Sequence, residues 1–163
     1  MARNRSLSVK HGKRGGITVS LTGLDELIEL LGDVAPREAI NIMTATIGGV
    51  ARGMRDEISE GAPSDTGTLK KSVWAEKKKG DRNTVVWHVN IGGGGRKYDA
   101  WYWRFIEYGT GASAKGAHAS PERPFVRPVV MKYNADMDNI IREKFGVAFT
   151  KAVQKKMKKA AMA

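Results

Sequence analysis

Asp65, Thr66 and Gly67 spell the tripeptide of aspartic peptidases, in which two such loops meet across a dimer axis and two carboxylates share one proton. In that chemistry the loop emerges from an apolar strand that buries it. Here Ala62, Pro63 and Ser64 precede the tripeptide and Thr68, Leu69, Lys70 and Lys71 follow it, which is a polar connector. The sequence therefore predicts a turn, with Asp65 accepting local backbone N–H bonds, Gly67 in an unusual φ/ψ and Leu69 opening a strand. A second acid, Glu107, stands among aromatics in the run WYWRFIEYGT (101–110), and Arg123 and Arg127 flank Phe125 in PERPFVRP (121–128). These segments suit a clasp in which Glu107 pairs with Arg123 or Arg127 while Phe125 inserts against Trp or Tyr. Aromatics interleaved with arginine would also suit base stacking on a single strand.

Other chemistries find little support. His11, His88 and His118 lie far apart and none has a His or acid at i+3 or i+4 on a helix, so no metal site is expected. The chain has no Cys, which excludes thiol catalysis, disulfides and Cys-containing zinc sites. No serine elbow is visible. Gly92 to Gly95 lacks the strand-then-helix frame of a dinucleotide loop. No catalytic residue and no cofactor is expected, and the enzyme reading is the weakest.

The net charge of +11 over 163 residues suggests a nucleic-acid partner until it is located along the chain. Residues 1–16 carry Arg3, Arg5, Lys10, Lys13 and Arg14 without an acid, and residues 151–163 carry Lys151, Lys155, Lys156, Lys158 and Lys159 without an acid. The body between them sets 18 Lys and Arg against 17 Asp and Glu and is close to neutral. Such arms can neutralise phosphate, or solubilise, or contact protein. Leu7 and Val9 alternate with polar residues in the first arm, a pattern suited to strand addition on a neighbour. The C-terminal lysines continue a helix whose negative dipole end they favour. No apolar run approaches a membrane span and the N-terminus lacks a signal-peptide core, so a soluble, unexported protein without membrane contact is expected.

The elements that must position these residues follow from periodicity. Ile17, Val19 and Leu21 alternate as a strand, and Leu24, Leu27, Ile28 and Leu31 have helical spacing. Pro36 opens a longer helix with the stripe Ile40, Met43, Ile47, Val50, Met54 and Ile58. Gly48, Gly49 and Gly53 lie inside it and predict close packing by another backbone. Leu69–Lys78 and Thr84–Ile91 read as an antiparallel hairpin with Val85, Trp87, Val89 and Ile91 on one face. Trp101–Tyr108 suits a short helix closed by Gly109 in αL, and Pro128 starts one long last helix from Val129 to Ala152 and beyond. The fold class is α+β: a small antiparallel sheet, a long helix before it, a long C-terminal helix packed on one side and an extended N-terminal arm. The expected organisation is a basic arm (1–16), one domain (17–150) and a basic helical extension (151–163).

Three blocks now stand in order: Pro63, Asp65, Thr66, Gly67, Leu69 and Ser72; then Phe105, Glu107, Tyr108, Gly109 and Thr110; then Pro121, Arg123, Pro124, Phe125, Arg127 and Pro128. Together they resemble the tail-component family of long-tailed double-stranded DNA bacteriophages, whose members are called neck, tail-completion or minor tail proteins. The resemblance covers residues 36–150. It implies a non-catalytic subunit of a homo-oligomeric ring at the head-to-tail junction of the virion, six-fold before twelve-fold. Its implied partners are an adjacent neck connector and a tail-tube or tail-terminator protein, with transient contact to genomic DNA in the lumen. Residues 1–20, the Gly92–Gly95 tract and the basic C-terminus depart from typical members. A nucleic-acid-binding module and an aspartic peptidase stay open as the second and third readings.

Overall fold

A computed structural model describes residues 7–11, 16–22, 36–65, 67–80, 84–92, 98–111 and 119–162. The expected helix through Leu24 and Leu31 lies outside these residues, as do Thr66, Arg3, Arg5, Lys13, Arg14, the Gly93–Gly95 part of the glycine tract and His118.

The chain runs through β1 (Leu7–His11), β2 (Gly16–Thr22), α1 (Pro36–Gly61), the single helical turn α2 (Thr68–Lys71), β3 (Val73–Lys78), β4 (Thr84–Ile91), α3 (Trp103–Tyr108), α4 (Arg127–Ala135) and α5 (Met137–Ala160). This is the expected α+β class. The strands form one antiparallel sheet in the order β1-β2-β4-β3. Met43, Ile47, Val50, Met54 and Ile58, spaced by three and four, fall on one face of α1, and each is at most 2% exposed. Against them lie the alternate residues Ile17 and Val19 of β2 and Val85, Val89 and Ile91 of β4. Full burial of each such side chain contributes about 1.5–3 kcal/mol, which makes this layer the source of most stability. α5 packs on α1 away from the sheet.

Four expectations are corrected. Leu7–His11 is a strand of its own chain's sheet, at the edge, rather than a free arm. It pairs with β2 of its own chain, Leu7 opposite Leu21 and Val9 opposite Val19, because the two alternations are in register. Leu69–Ser72 is not strand. Gly67 enters αL, Lys71 N–H donates to Gly67 O at 3.2 Å, and Ser72 Oγ donates to Leu69 O at 2.7 Å, so the chain makes one helical turn before β3 begins at Val73. The last helix is two: Asp136, at φ −115° and ψ 25°, ends α4 and accepts at Oδ1 from Asn139 Nδ2, as an Asp before a helix start commonly interrupts the run. The glycines of α1 do meet close neighbours, but these are side chains. A Cβ on Gly48 would stand 2.7 Å from the Trp87 ring, and one on Gly53 would stand 2.7 Å from Tyr133 Oη. Gly49 faces Lys144 at ordinary contact distance.

Candidate functional site

Glu107 is the best-buried acid among the described residues, with no exposed side-chain surface. α3 brings it there: Trp103 and Glu107, four apart, share the inward face of the helix, while Phe105 and Tyr108 point outward. Its Oε2 accepts from the N–H groups of Phe125 at 2.8 Å and Val126 at 2.9 Å, and its Oε1 accepts from Arg127 N–H at 2.9 Å. These are the orphan amides at the start of α4, where a carboxylate also meets the positive end of the helix. Arg127 Nε then donates to Oε1 at 3.2 Å, and one Arg127 Nη donates to the Glu107 carbonyl at 3.1 Å and to Glu122 Oε2 at 2.6 Å. The hydrogen bond to Glu122, followed by that acid's charge and the contacts with Glu107, raises the guanidinium pKa further above its ordinary value.

The geometry selects Arg127, not Arg123, as the arginine of the clasp. Arg123 is exposed and contributes its backbone N–H, which donates to Ile106 O at 2.8 Å. Phe125 is buried in the same core cluster as Trp103, with its Cβ close to where a Gly61 side chain would begin. Pro124 and Pro128 are exposed, and Pro128 occupies the first turn of α4, where its missing N–H costs nothing. Glu122, with no regular spacing to advertise it, was not legible as part of the clasp. The role of Glu107 as a helix cap was also not legible, because the amides it binds lie 18 to 20 residues away.

Gly109 stands at φ 68° and ψ 179°, positive as expected but outside αL. The returning loop crosses there. A Cβ on Gly109 would lie 2.7 Å from Ser120 O, and Thr110 and Ser120 exchange backbone hydrogen bonds at 3.0 and 3.1 Å. In the first block Gly67 stands at the N-cap of α2 with φ 71° and ψ 1°, and Asp65 is exposed. The turn is tied to its surroundings by Ser72, whose carbonyl accepts Gly92 N–H at 3.0 Å, and by Ser59 Oγ, which donates to Lys70 O at 3.0 Å. Leu69 and Ser72 are buried.

These pieces meet around a cleft of about 390 Å³ lined by Pro63, Asp65, Gly67 and Leu69 from the first block, Tyr102 and Ile106 from the aromatic run, and Ser120, Pro121 and Arg123 from the last. Its charged groups are one exposed acid and one exposed arginine, and no second carboxylate faces Asp65 from this lining. Among the described residues no group of three or more His, Asp or Glu is placed to hold a metal ion, and no helix is long and apolar enough to cross a membrane. The arrangement can fix three chain segments against one another and present a surface.

Residues 25–109, just over half of the chain, match the family model described as "Bacteriophage HK97-gp10, putative tail-component". The chain belongs to this family. The match takes in the first block and the second as far as Gly109, and stops short of the PERPFVRP block that the geometry ties to Glu107. No curated protein and no solved structure matches the chain. Membership in the HK97-gp10-like family supports a structural, tail-associated role in a bacteriophage. With that role, what the chain exposes matters as much as what it buries. Trp101, Phe105 and Tyr108 are 68%, 51% and 52% exposed on or beside α3, Trp101 packing edge-on against Tyr102 and Phe105 at 6.0 and 5.8 Å. The Arg127 guanidinium lies 5.1 Å from the Tyr108 ring centre. Of the basic arms, Lys10 lies in β1 and Lys151, Lys155, Lys156, Lys158 and Lys159 lie along distal α5.

Proposed function

We propose that the chain is a subunit of a closed ring at the head-to-tail junction, a neck, tail-completion or tail-terminator position, and that it forms part of the wall of the DNA channel. The observation that carries this reading is the aromatic face of Trp101, Phe105 and Tyr108, held at a fixed angle by the Glu107 clasp directly behind it. Exposed side chains of this size on a monomer mark a protein contact. Phage tail-component membership supplies the context in which a rigid wedge of this kind serves assembly. Six copies are the expected closure, with an adjacent neck connector on one side and a tail-tube or terminator protein on the other. Genomic DNA passes without being held, because each phosphate neutralised strengthens binding and a strongly basic lumen would slow its exit.

Native mass measurement of the purified chain, alone and with neck and tail-tube proteins of the same phage, tests the reading. A closed oligomer of defined copy number is expected, and Trp101→Ala with Phe105→Ala should abolish it while leaving the monomer folded. A chain that joins no assembly under any of these conditions, and instead shifts DNA in a salt-dependent way, belongs to the nucleic-acid-binding reading.

A further inference from the structure

The sheet ends in two open edges. Gly92 N–H donates to Ser72 O at 3.0 Å and Val73 stands opposite Ile91, so the hydrogen-bonded pairs of this ladder are Trp74–Asn90, Glu76–His88 and Lys78–Val86. The backbone N–H and C=O groups of Val73, Ala75 and Lys77 therefore point away from β4, and they have no partner among the described residues. The same alternation carried through β4 and β2 turns the backbone groups of Leu7, Val9 and His11 away from β2. Among the described residues no strand lies beyond β1 or beyond β3.

Such an edge is a ready surface for a strand of another chain, and three observations choose a second copy of this one, joined β3 to β1. All neighbouring strands are antiparallel and the described strands number four, so β1 and β3 run in opposite directions. A copy carried to the next position of a ring, with its strands along the ring axis, sets its β1 antiparallel to β3 and continues the alternation. One row of the register also crosses the sheet as Glu76, His88, Thr18 and Lys10. It begins on an acid and ends on a base. Glu76 accepts from Asn90 Nδ2 at 3.0 Å and pairs with Lys78 Nζ at 2.7 Å, which fixes its carboxylate on this row. Extended into the next copy, the row places Lys10 opposite Glu76 in a non-hydrogen-bonded pair, where cross-strand neighbours come closest and opposite charges are favourable. Pairing of β3 with β3, or of β1 with β1, across a two-fold would instead stop at a dimer and leave the other edge open. Lys77 and Lys78, exposed at the end of β3, are the residues that keep an edge from pairing indiscriminately.

We infer that the outer edge of β3 in one subunit pairs with the outer edge of β1 in the next copy, so that one antiparallel sheet runs from subunit to subunit. β1 keeps its place beside β2 and lends only its second edge. Contacts of this head-to-tail kind use two different patches and propagate until the rotation closes. The inference rests on the ring reading, and it adds which two surfaces meet, the direction in which the strands run and the register, Lys10 against Glu76.

Variants of the full chain, assembled with neck and tail-tube proteins of the same phage, test it. Lys77→Pro removes an N–H that the subunit's own ladder does not use and puts a ring in the path of the neighbouring strand. The assembled fraction should fall about tenfold or more, with the far-UV circular dichroism of the wild type. Lys77→Ala, which removes the charge alone, should assemble normally. Wild-type assembly of Lys77→Pro overturns the joint, and so does an equal loss in Lys77→Ala, which would trace the effect to the side chain. Should Lys77→Pro fail to fold, the absence of native Cys gives a second route. Lys10→Cys and Glu76→Cys together in one chain introduce its only two thiols. Within a subunit they stand three strand spacings apart, about 14 Å, beyond the reach of a disulfide, so every bridge joins two copies. Mild oxidation should give a ladder of covalent multimers in a denaturing gel, and neither single-cysteine chain should cross-link. Efficient dimers from Glu76→Cys alone or Lys10→Cys alone would show two-fold edge pairing and overturn the inference. A closed ring by native mass that yields no ladder overturns the joint and leaves the ring reading standing; a chain that joins the particle as one copy overturns the ring reading and the joint with it.

Discussion

Glu107 and Asp65 are both acids of the motif blocks, and the molecule treats them in opposite ways. Glu107 has no exposed side-chain surface and its two carboxylate oxygens collect three backbone amides and a guanidinium. Asp65, the residue whose tripeptide suggests catalysis, is exposed two residues before Gly67, which takes the αL conformation at the turn. The difference teaches that a signature residue can mark backbone geometry, while the side chain that holds the fold sits in a run that reads as merely aromatic. The buried acid is fully engaged in structure, whereas the exposed one lines a cleft whose other charged group is Arg123.

The comparison breaks most directly at Glu107. Replacing it with Ala leaves Arg127 without its buried partner and strands three amides, and a loss of about 3–5 kcal/mol is expected. At this chain length that corresponds to a fall of roughly 10 °C in the calorimetric midpoint. Glu107→Gln, which keeps one acceptor oxygen but turns an amide toward donors, should fall between Ala and wild type at about 1–3 kcal/mol. A wild-type midpoint in Glu107→Ala would remove the clasp from the account. Next is Gly67→Val. A Cβ there meets nothing within 4 Å, so its cost is conformational alone, about 2 kcal/mol for a branched residue at φ 71°. Urea unfolding should show this as a lower midpoint with an unchanged slope.

The helix glycines sharpen the same lesson about contact against conformation. Gly48→Ala should destabilise by about 1–3 kcal/mol because its methyl would press into the Trp87 ring, overriding the gain that Ala normally brings to a helix. Gly146→Ala, with nothing within 4 Å, should stabilise by up to about 1 kcal/mol. Equal effects at the two sites would show that Trp87 yields. Smallest is Asp65→Asn, expected within about 0.5 kcal/mol of wild type in the same unfolding assay. Any peptide-bond cleavage abolished by that change would reverse the roles of the two acids.

Periodicity made much of the fold legible. The stripe from Met43 to Ile58 and the alternation Val85, Val89, Ile91 each face the core where the spacing puts them, because burying one face is what both elements are selected to do. What stayed hidden depends on contacts distant in sequence. Pairing of β1 with β2 satisfies an alternation that a neighbour's sheet would satisfy equally well, and only the register decides. The turn at Leu69–Ser72 follows from the hydrogen bonds of Ser72 and Gly67, which composition does not announce. At Asp136 the apolar spacing runs through a break that one polar residue imposes. In the site, pairing of an arginine with Glu107 was readable from residue types, whereas the choice of Arg127 over Arg123 was set by the entry angle of α4.

The central claim is that this rigid, clasped domain is a repeated wall element of the head-to-tail junction. Electron cryomicroscopy of the purified phage, with the chain identified by a fused tag, tests it most directly. The account predicts a single ring of this chain between the head and the tail tube. A particle in which the chain is absent, lies elsewhere along the tail, or stands at the neck as one unrepeated copy would contradict it.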